Sequence, residues 1–189
     1  MGKFAILKLW LPLSWLLVLI AAAIAAPWLG VDDPGQMDFV ATSAPPGANH
    51  LLGTDVLGRD ILARVLYGAR VSLTVGFFAP AVGMVIGLIL GMLAGYYRGK
   101  LEAVIIIGID TLLAVPGLVI LLLFSLIFGG SLTNVTLGLG ILFIPIFARV
   151  SRANTLVFAE REFVLAARAM GARDLYILSR EILPNVVLP

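Results

Sequence analysis

The sequence predicts an all-α integral membrane protein with four transmembrane helices, and three observations predict it. The chain is 61% hydrophobic, 13% charged and has a mean hydropathy of +1.09. A soluble domain carries about 25% charged and about 45–50% apolar residues. The apolar residues collect in four runs near the ~20 residues that cross a hydrocarbon core of ~30 Å as a helix. The same arithmetic excludes other classes. The chain has no cysteine, so it builds no disulfide framework, thiolate metal site or cysteine nucleophile. Its one histidine cannot make a multi-histidine metal site, and a net charge of +2 does not point to nucleic acid.

The first run, residues 10–29, contains no charge. Lys3 and Lys8 precede it, and Ala23-Ile24-Ala25 resembles a signal-peptide cleavage site. The run is longer than the ~7–15 residues of a signal-peptide core, so it reads as a retained span. Residues 30–70 are a polar segment that opens with turn-rich sequence, from Asp32-Asp33-Pro34-Gly35 to Pro45-Pro46-Gly47. Thr54 or Asp55 can cap a helix that follows. Leu57, Ile61, Leu62, Val65 and Leu66 recur at helical spacing, and Asp60 and Arg64 stand four apart and can pair. The segment therefore reads as an amphipathic helix at the membrane interface, or as a capped, solvated connector. His50 has no second His or Cys to join it in catalysis.

The second run, 71–97, is uncharged and places Gly83, Gly87, Gly91 and Gly95 on one helix face. Small residues let another helix approach closely. The face serves ordinary packing or the sliding surface of a moving bundle. The third run, 103–128, contains Asp110, which should face protein or water. It either lines a pathway or pairs with a neighbouring Arg. Pro116 should kink this helix. The fourth run, 132–148, is shorter and should stand with little tilt.

Lys and Arg of short loops stay on the cytoplasmic side. With the N-terminus inside, Lys3, Lys8, Arg98, Lys100, Arg149, Arg152, Arg161, Arg168, Arg173 and Arg180 lie inside, and only Arg59, Arg64 and Arg70 outside. The N-terminus is therefore expected in the cytoplasm, residues 30–70 outside and residues 149–184 inside. In that last segment Leu165 to Met170 is helix-forming, Gly171 can end the helix in a left-handed cap, and a second helical stretch runs to Pro184. Such a knuckle can seat in another protein's groove or remain a solvated loop.

Two motifs carry a family resemblance. One is HLLGTDVLGRDILARVLYGARVSL, residues 50–73, and the other is FVLAARAMGARDLYILSREILPN, residues 163–185. The chain resembles the membrane permeases of type I ATP-binding-cassette importers, most of all the second permease of the dipeptide, oligopeptide and nickel uptake group. The second motif is similar to the family's EAA loop, with Leu165 where the namesake glutamate often stands.

The resemblance implies a type I permease fold. Residues 1–29 would be the cytoplasmic N-terminus and first span, 30–70 the external segment, and 71–189 the permease domain with its cytoplasmic coupling loop at 149–184. Leu165, Ala166, Ala167, Arg168, Ala169, Met170 and Gly171 would form most of the coupling helix that docks into an ATPase. The implied partners are a second permease subunit, two ATP-binding subunits, an extracytoplasmic substrate-binding protein and the lipid bilayer of a bacterial-type inner membrane. No cofactor is implied in this chain and no catalytic role. The family usually has six spans, so the resemblance implies a chain incomplete at its C-terminus. Consistent with a separate motor, the sequence holds no G-x-x-x-x-G-K-[ST] phosphate loop. Two alternatives stand beside this reading. Asp60-Ile61-Leu62-Ala63-Arg64 is similar to part of a lipid phosphotransferase signature, but the converging carboxylates of metal-assisted phosphoryl chemistry are missing. The other is a structural membrane subunit without transport.

Overall fold

The computed structural model describes residues 2–31 and 33–187. Asp32, from the first expected turn, and Pro189, where a further span is expected to begin, lie outside them. Among the described residues the structure is helical, with one isolated antiparallel bridge between Thr54 and Asp60. The chain divides into two units, Met1–Val75 and Gly76–Pro189.

The first unit holds α1 (Gly2–Ala25), a 3-10 turn over Ala26–Trp28, the segment that follows, and the start of α2 (Ile61–Tyr97). Residues 38–44 run back along residues 54–58. Asp38 donates its N–H to the Gly58 carbonyl, Ser43 to Asp55 and Thr54 to Ala44. Gly58 has φ +72°, and a Cβ there would collide with the Asp38 backbone, so only glycine closes this turn. The expected interfacial helix is not separate. α2 begins at Ile61 and runs for 37 residues, about 55 Å at a rise of ~1.5 Å per residue. Its cap is Asp60, not Thr54 or Asp55, because the Asp60 carboxylate accepts the Ala63 N–H at 2.8 Å. Thr54 instead bonds the Ala41 carbonyl and the Ala44 N–H, and Asp55 closes the turn before the helix.

The second unit holds the rest of α2, then α3 (Gly99–Ala114), α4 (Gly117–Phe128) and α5 (Leu132–Phe158). The third apolar run is expected to be a kinked helix. It is broken instead: α3 and α4 meet at 92°. Val115 is extended at φ −95°, ψ 131°, the conformation a following proline enforces, and Pro116 starts α4 as its N-cap. Both halves pack along α5. Arg149 and Arg152 of α5 pair with Asp110 and Glu102 of α3, while Gly138 of α5 sits against Leu121 and Phe124 of α4. The elbow encloses a cavity of about 240 Å³ lined by Leu112, Leu113, Val115, Pro116, Gly117, Leu142 and Pro145. By length and composition Trp10–Trp28, Ile61–Tyr97 and Leu132–Phe158 can each cross a membrane, and the bent pair makes a fourth span if its halves count as one.

α5 starts at Ser131, whose side chain accepts the Asn134 N–H at 3.2 Å. It continues ten residues past the expected end at Ala148. Carboxylates on α3 receive the two arginines that follow, so charge does not end the helix there. α6 (Glu162–Ala169), α7 (Asp174–Tyr176), a π-helical stretch over Ile177–Ile182 and α8 (Leu183–Val187) complete the described chain. Pro184 does not terminate this last segment. A proline cannot donate to the carbonyl four residues back and crowds it, and the widened π turns just before it accommodate both effects.

Candidate functional site

The candidate site is the knob formed by α6 and the segment after it. Arg161 is extended at ψ 149°, so α6 starts at Glu162, three residues before the expected coupling helix. Gly171 ends it at φ +81°. The Gly171 N–H bonds the Arg168 carbonyl and the Ala172 N–H bonds the Ala167 carbonyl, each at 3.0 Å, the paired bonds of a Schellman cap. Val164 and Ala167 are buried against Ile177, Leu178, Ile182 and Val186, and Met92 of α2 joins the same core. The singled-out residues therefore divide. Ala167 faces inward and supports the knob. Leu165, Ala166, Ala169, Met170 and Gly171 are exposed, Met170 at 82%, with Leu175 beside the cap at 78%. An apolar tip stands on a packed base.

Polar contacts bind this knob to the end of α2. The Tyr96 hydroxyl donates to Asp174 Oδ1 at 2.8 Å, and the Arg168 guanidinium lies 5.2 Å from the centroid of the Tyr96 ring. Arg98, just after α2, pairs with Glu160, just before α6, at 2.8 Å. Sequence reasoning missed Tyr96, Arg98, Glu160 and Asp174. Their separations of 62 and 78 residues leave no periodic signal.

The four-glycine face of α2 lies against α5. A Cβ at Gly87 would stand 2.7 Å from the Ile144 carbonyl oxygen, one at Gly91 2.7 Å from Ser151 Cβ, and one at Gly95 2.8 Å from Thr155 Cβ. Gly83 meets Phe143 and Gly140 in the same way. Both helices advance by four residues per contact, so they run parallel with their backbones nearly touching. The Ser151 hydroxyl donates to the Leu88 carbonyl at 3.0 Å across this seam. Asp110 pairs with Arg149 at 2.7 Å. The pair borders a cavity of about 330 Å³ that Gly91, Ala94, Ile106, Ile109, Ala148 and Arg152 also line.

The expected pair between Asp60 and Arg64 is replaced by two others. Asp60 already caps α2 with Oδ1, and its Oδ2 meets His50 Nδ1 at 2.8 Å. Arg64 turns to Asp55, which also holds Arg59 at 2.8 Å. Burial raises the Asp55 pKa, but N–H donors from Arg59 and Leu57 and the Arg59 guanidinium outweigh it and bring it to about 2. For Asp60 burial again opposes ionisation, while the Ala63 N–H and the His50 ring prevail and lower its pKa. Among the described residues no three His, Asp or Glu side chains converge on a metal position.

Residues 87–189 match the family described as binding-protein-dependent transport system inner membrane component. The chain is 42% identical over 174 residues to a glutathione transport system permease protein GsiD of Pectobacterium atrosepticum. It is 41% identical over the same length to GsiD of Escherichia coli. A putative peptide transport system permease protein of Brucella suis is 39% identical over 174 residues. The matched region covers 92% of this chain but 58%, 57% and 58% of those three relatives, respectively. The phosphotransferase alternative finds no support among them. With its apolar spans, its broken third helix and its glycine-capped knob, the chain is a multi-pass membrane protein and belongs to the binding-protein-dependent transport system inner membrane components.

Proposed function

We propose that the chain serves as one permease subunit of an ATP-binding-cassette importer, working with a second permease subunit, two ATP-binding subunits and an external binding protein that delivers a peptide-like solute. The relatives' names, which specify glutathione and peptides, support that solute class. The single observation that carries the reading is the α6 knob. Its apolar tip at Leu165 and Met170 is exposed, while its base is fully packed. A tip of this kind suits a groove on a partner, where a helix presents apolar anchors. The partner hydrolyses ATP and moves the tip, and α2 and α5 carry the movement into the membrane. In this reading the N-terminus and the knob are cytoplasmic, and residues 30–70 face outward. The distribution of Lys and Arg supports it.

Met170→Asp tests the docking role. The residue is exposed, so the fold should persist, while a charge placed in an apolar groove costs the complex several kcal/mol of its affinity on the order expected for an unpaired charge. The ATP-binding subunit should no longer co-purify with the full complex. Undiminished co-purification would remove the knob from the interface. For orientation, the chain lacks cysteine, so Pro45→Cys and Leu175→Cys can each be labelled alone. An impermeant reagent on intact cells should reach the first and not the second, and the reverse pattern would invert the topology.

A further inference from the structure

We propose that Tyr96 is the positioning residue that converts movement of α6 into movement of α2, an inference that rests on the importer reading above. α6 is eight residues long and presents only two buried side chains, Val164 and Ala167, to its base. Apolar contacts are non-directional, so this packing alone lets a short helix slip when its tip is pushed. Directional contacts prevent slip, and both flanks of α6 have one. Glu160 precedes the helix and pairs with Arg98, while Asp174 follows the Gly171 cap and accepts from Tyr96. The two tethers return to points two residues apart at the end of α2. The Arg168 guanidinium, on α6 itself, also covers the Tyr96 ring. Tyr96 therefore contacts the helix and the segment after it at once, whereas Arg98 reaches only the segment before it.

From Tyr96 the load passes on to α5. α2 is clasped to α5 by the seam from Gly83 to Gly95 and by the Ser151 to Leu88 hydrogen bond, so a pull on Tyr96 moves both helices together. α3 follows through the pairs of Asp110 with Arg149 and Glu102 with Arg152.

The test is Tyr96→Phe in the assembled complex in proteoliposomes, because it deletes one hydroxyl and keeps the ring. The ATP-binding subunit should be retained as in wild type, and solute delivered per ATP hydrolysed should fall about threefold to tenfold, the factor a single hydrogen bond commands. Asp174→Ala should do the same, and the double variant should be no worse than either alone, since both remove one contact. A second measurement needs no transport. Spin labels on Ile89→Cys of α2 and Glu162→Cys of α6, both exposed positions, should give a narrow distance distribution that Tyr96→Phe broadens. An unchanged solute-to-ATP ratio, an unchanged distribution, or loss of the ATP-binding subunit from Tyr96→Phe would each overturn the assignment. Failure of the wild-type chain to hold any ATP-binding subunit would instead sink the importer reading beneath it.

Discussion

Gly91→Ala probes the helix seam most directly. The added Cβ would lie 2.7 Å from Ser151 Cβ and 2.8 Å from the Arg152 nitrogen, and it would clash with the Ala148 carbonyl oxygen. Ordinary contact between heavy atoms lies at about 3.5–4.0 Å, so α2 must retreat from α5 by about 1 Å. Such overpacking costs about 1–3 kcal/mol. The retreat also stretches the Ser151 to Leu88 hydrogen bond, worth ~0.6–1.7 kcal/mol between membrane helices. Alanine regains ~0.5–1 kcal/mol of helix preference over glycine. The balance is a loss of about 1–4 kcal/mol. Gly76 lies on the same helix with nothing within 4 Å of its would-be Cβ, so Gly76→Ala keeps only the gain. Denaturant unfolding in mixed micelles, followed by circular dichroism, should rank Gly76→Ala at or above wild type and Gly91→Ala clearly below. Equal stability of the two variants would refute the close approach of α2 and α5.

Three further outcomes are expected. Gly171→Val should cost about 1–2 kcal/mol, because its φ of +81° is strained for a β-branched residue even though the space around it is open, and Gly171→Asn should cost less. Unfolding midpoints check it, and equal behaviour of the two variants would contradict a conformational cause. Asp110→Leu should destabilise by up to about 1 kcal/mol, because its pair with Arg149 is more than half exposed, while adding Arg149→Leu should recover most of the loss; unfolding midpoints decide, and additive losses would contradict the pair. The Asp55 pKa lies at about 2, below its ordinary 3.8, so the contacts of its carboxylate are complete above about pH 4 and fade as pH falls toward 2. The protection factors of the Leu57 and Arg59 amides, whose N–H groups bond that carboxylate, should fall over this window, and constant protection down to pH 2 would argue against it.

Some of the site was legible because its causes are local. The glycines at 83, 87, 91 and 95 announce a close contact through spacing alone, and Gly171 announces a helix end because few other residues adopt its conformation. Other features resisted because two local solutions compete. Asp60 and Arg64 stand at pairing distance on a helix, yet Asp60 also stands where α2 needs a cap, and the N–H it satisfies there would otherwise have no partner. Once Asp60 is committed, Arg64 takes Asp55. Likewise Pro116 announces a bend but not its size, which depends on how both halves settle along α5.

What the sequence determined alone is the solvent this protein lives in, the runs that can cross it, and the places where a backbone must come close or turn left-handed. These follow from hydropathy and from spacings of one helical turn, which are properties of neighbouring residues. Only the tertiary structure decided that Asp110 is paired, that Ala167 supports the knob from within, and that Tyr96 and Arg98 hold it from both sides. The partners in those polar contacts lie 39 to 78 residues apart along the chain, and such charges and hydroxyls meet only where packed helices bring them together.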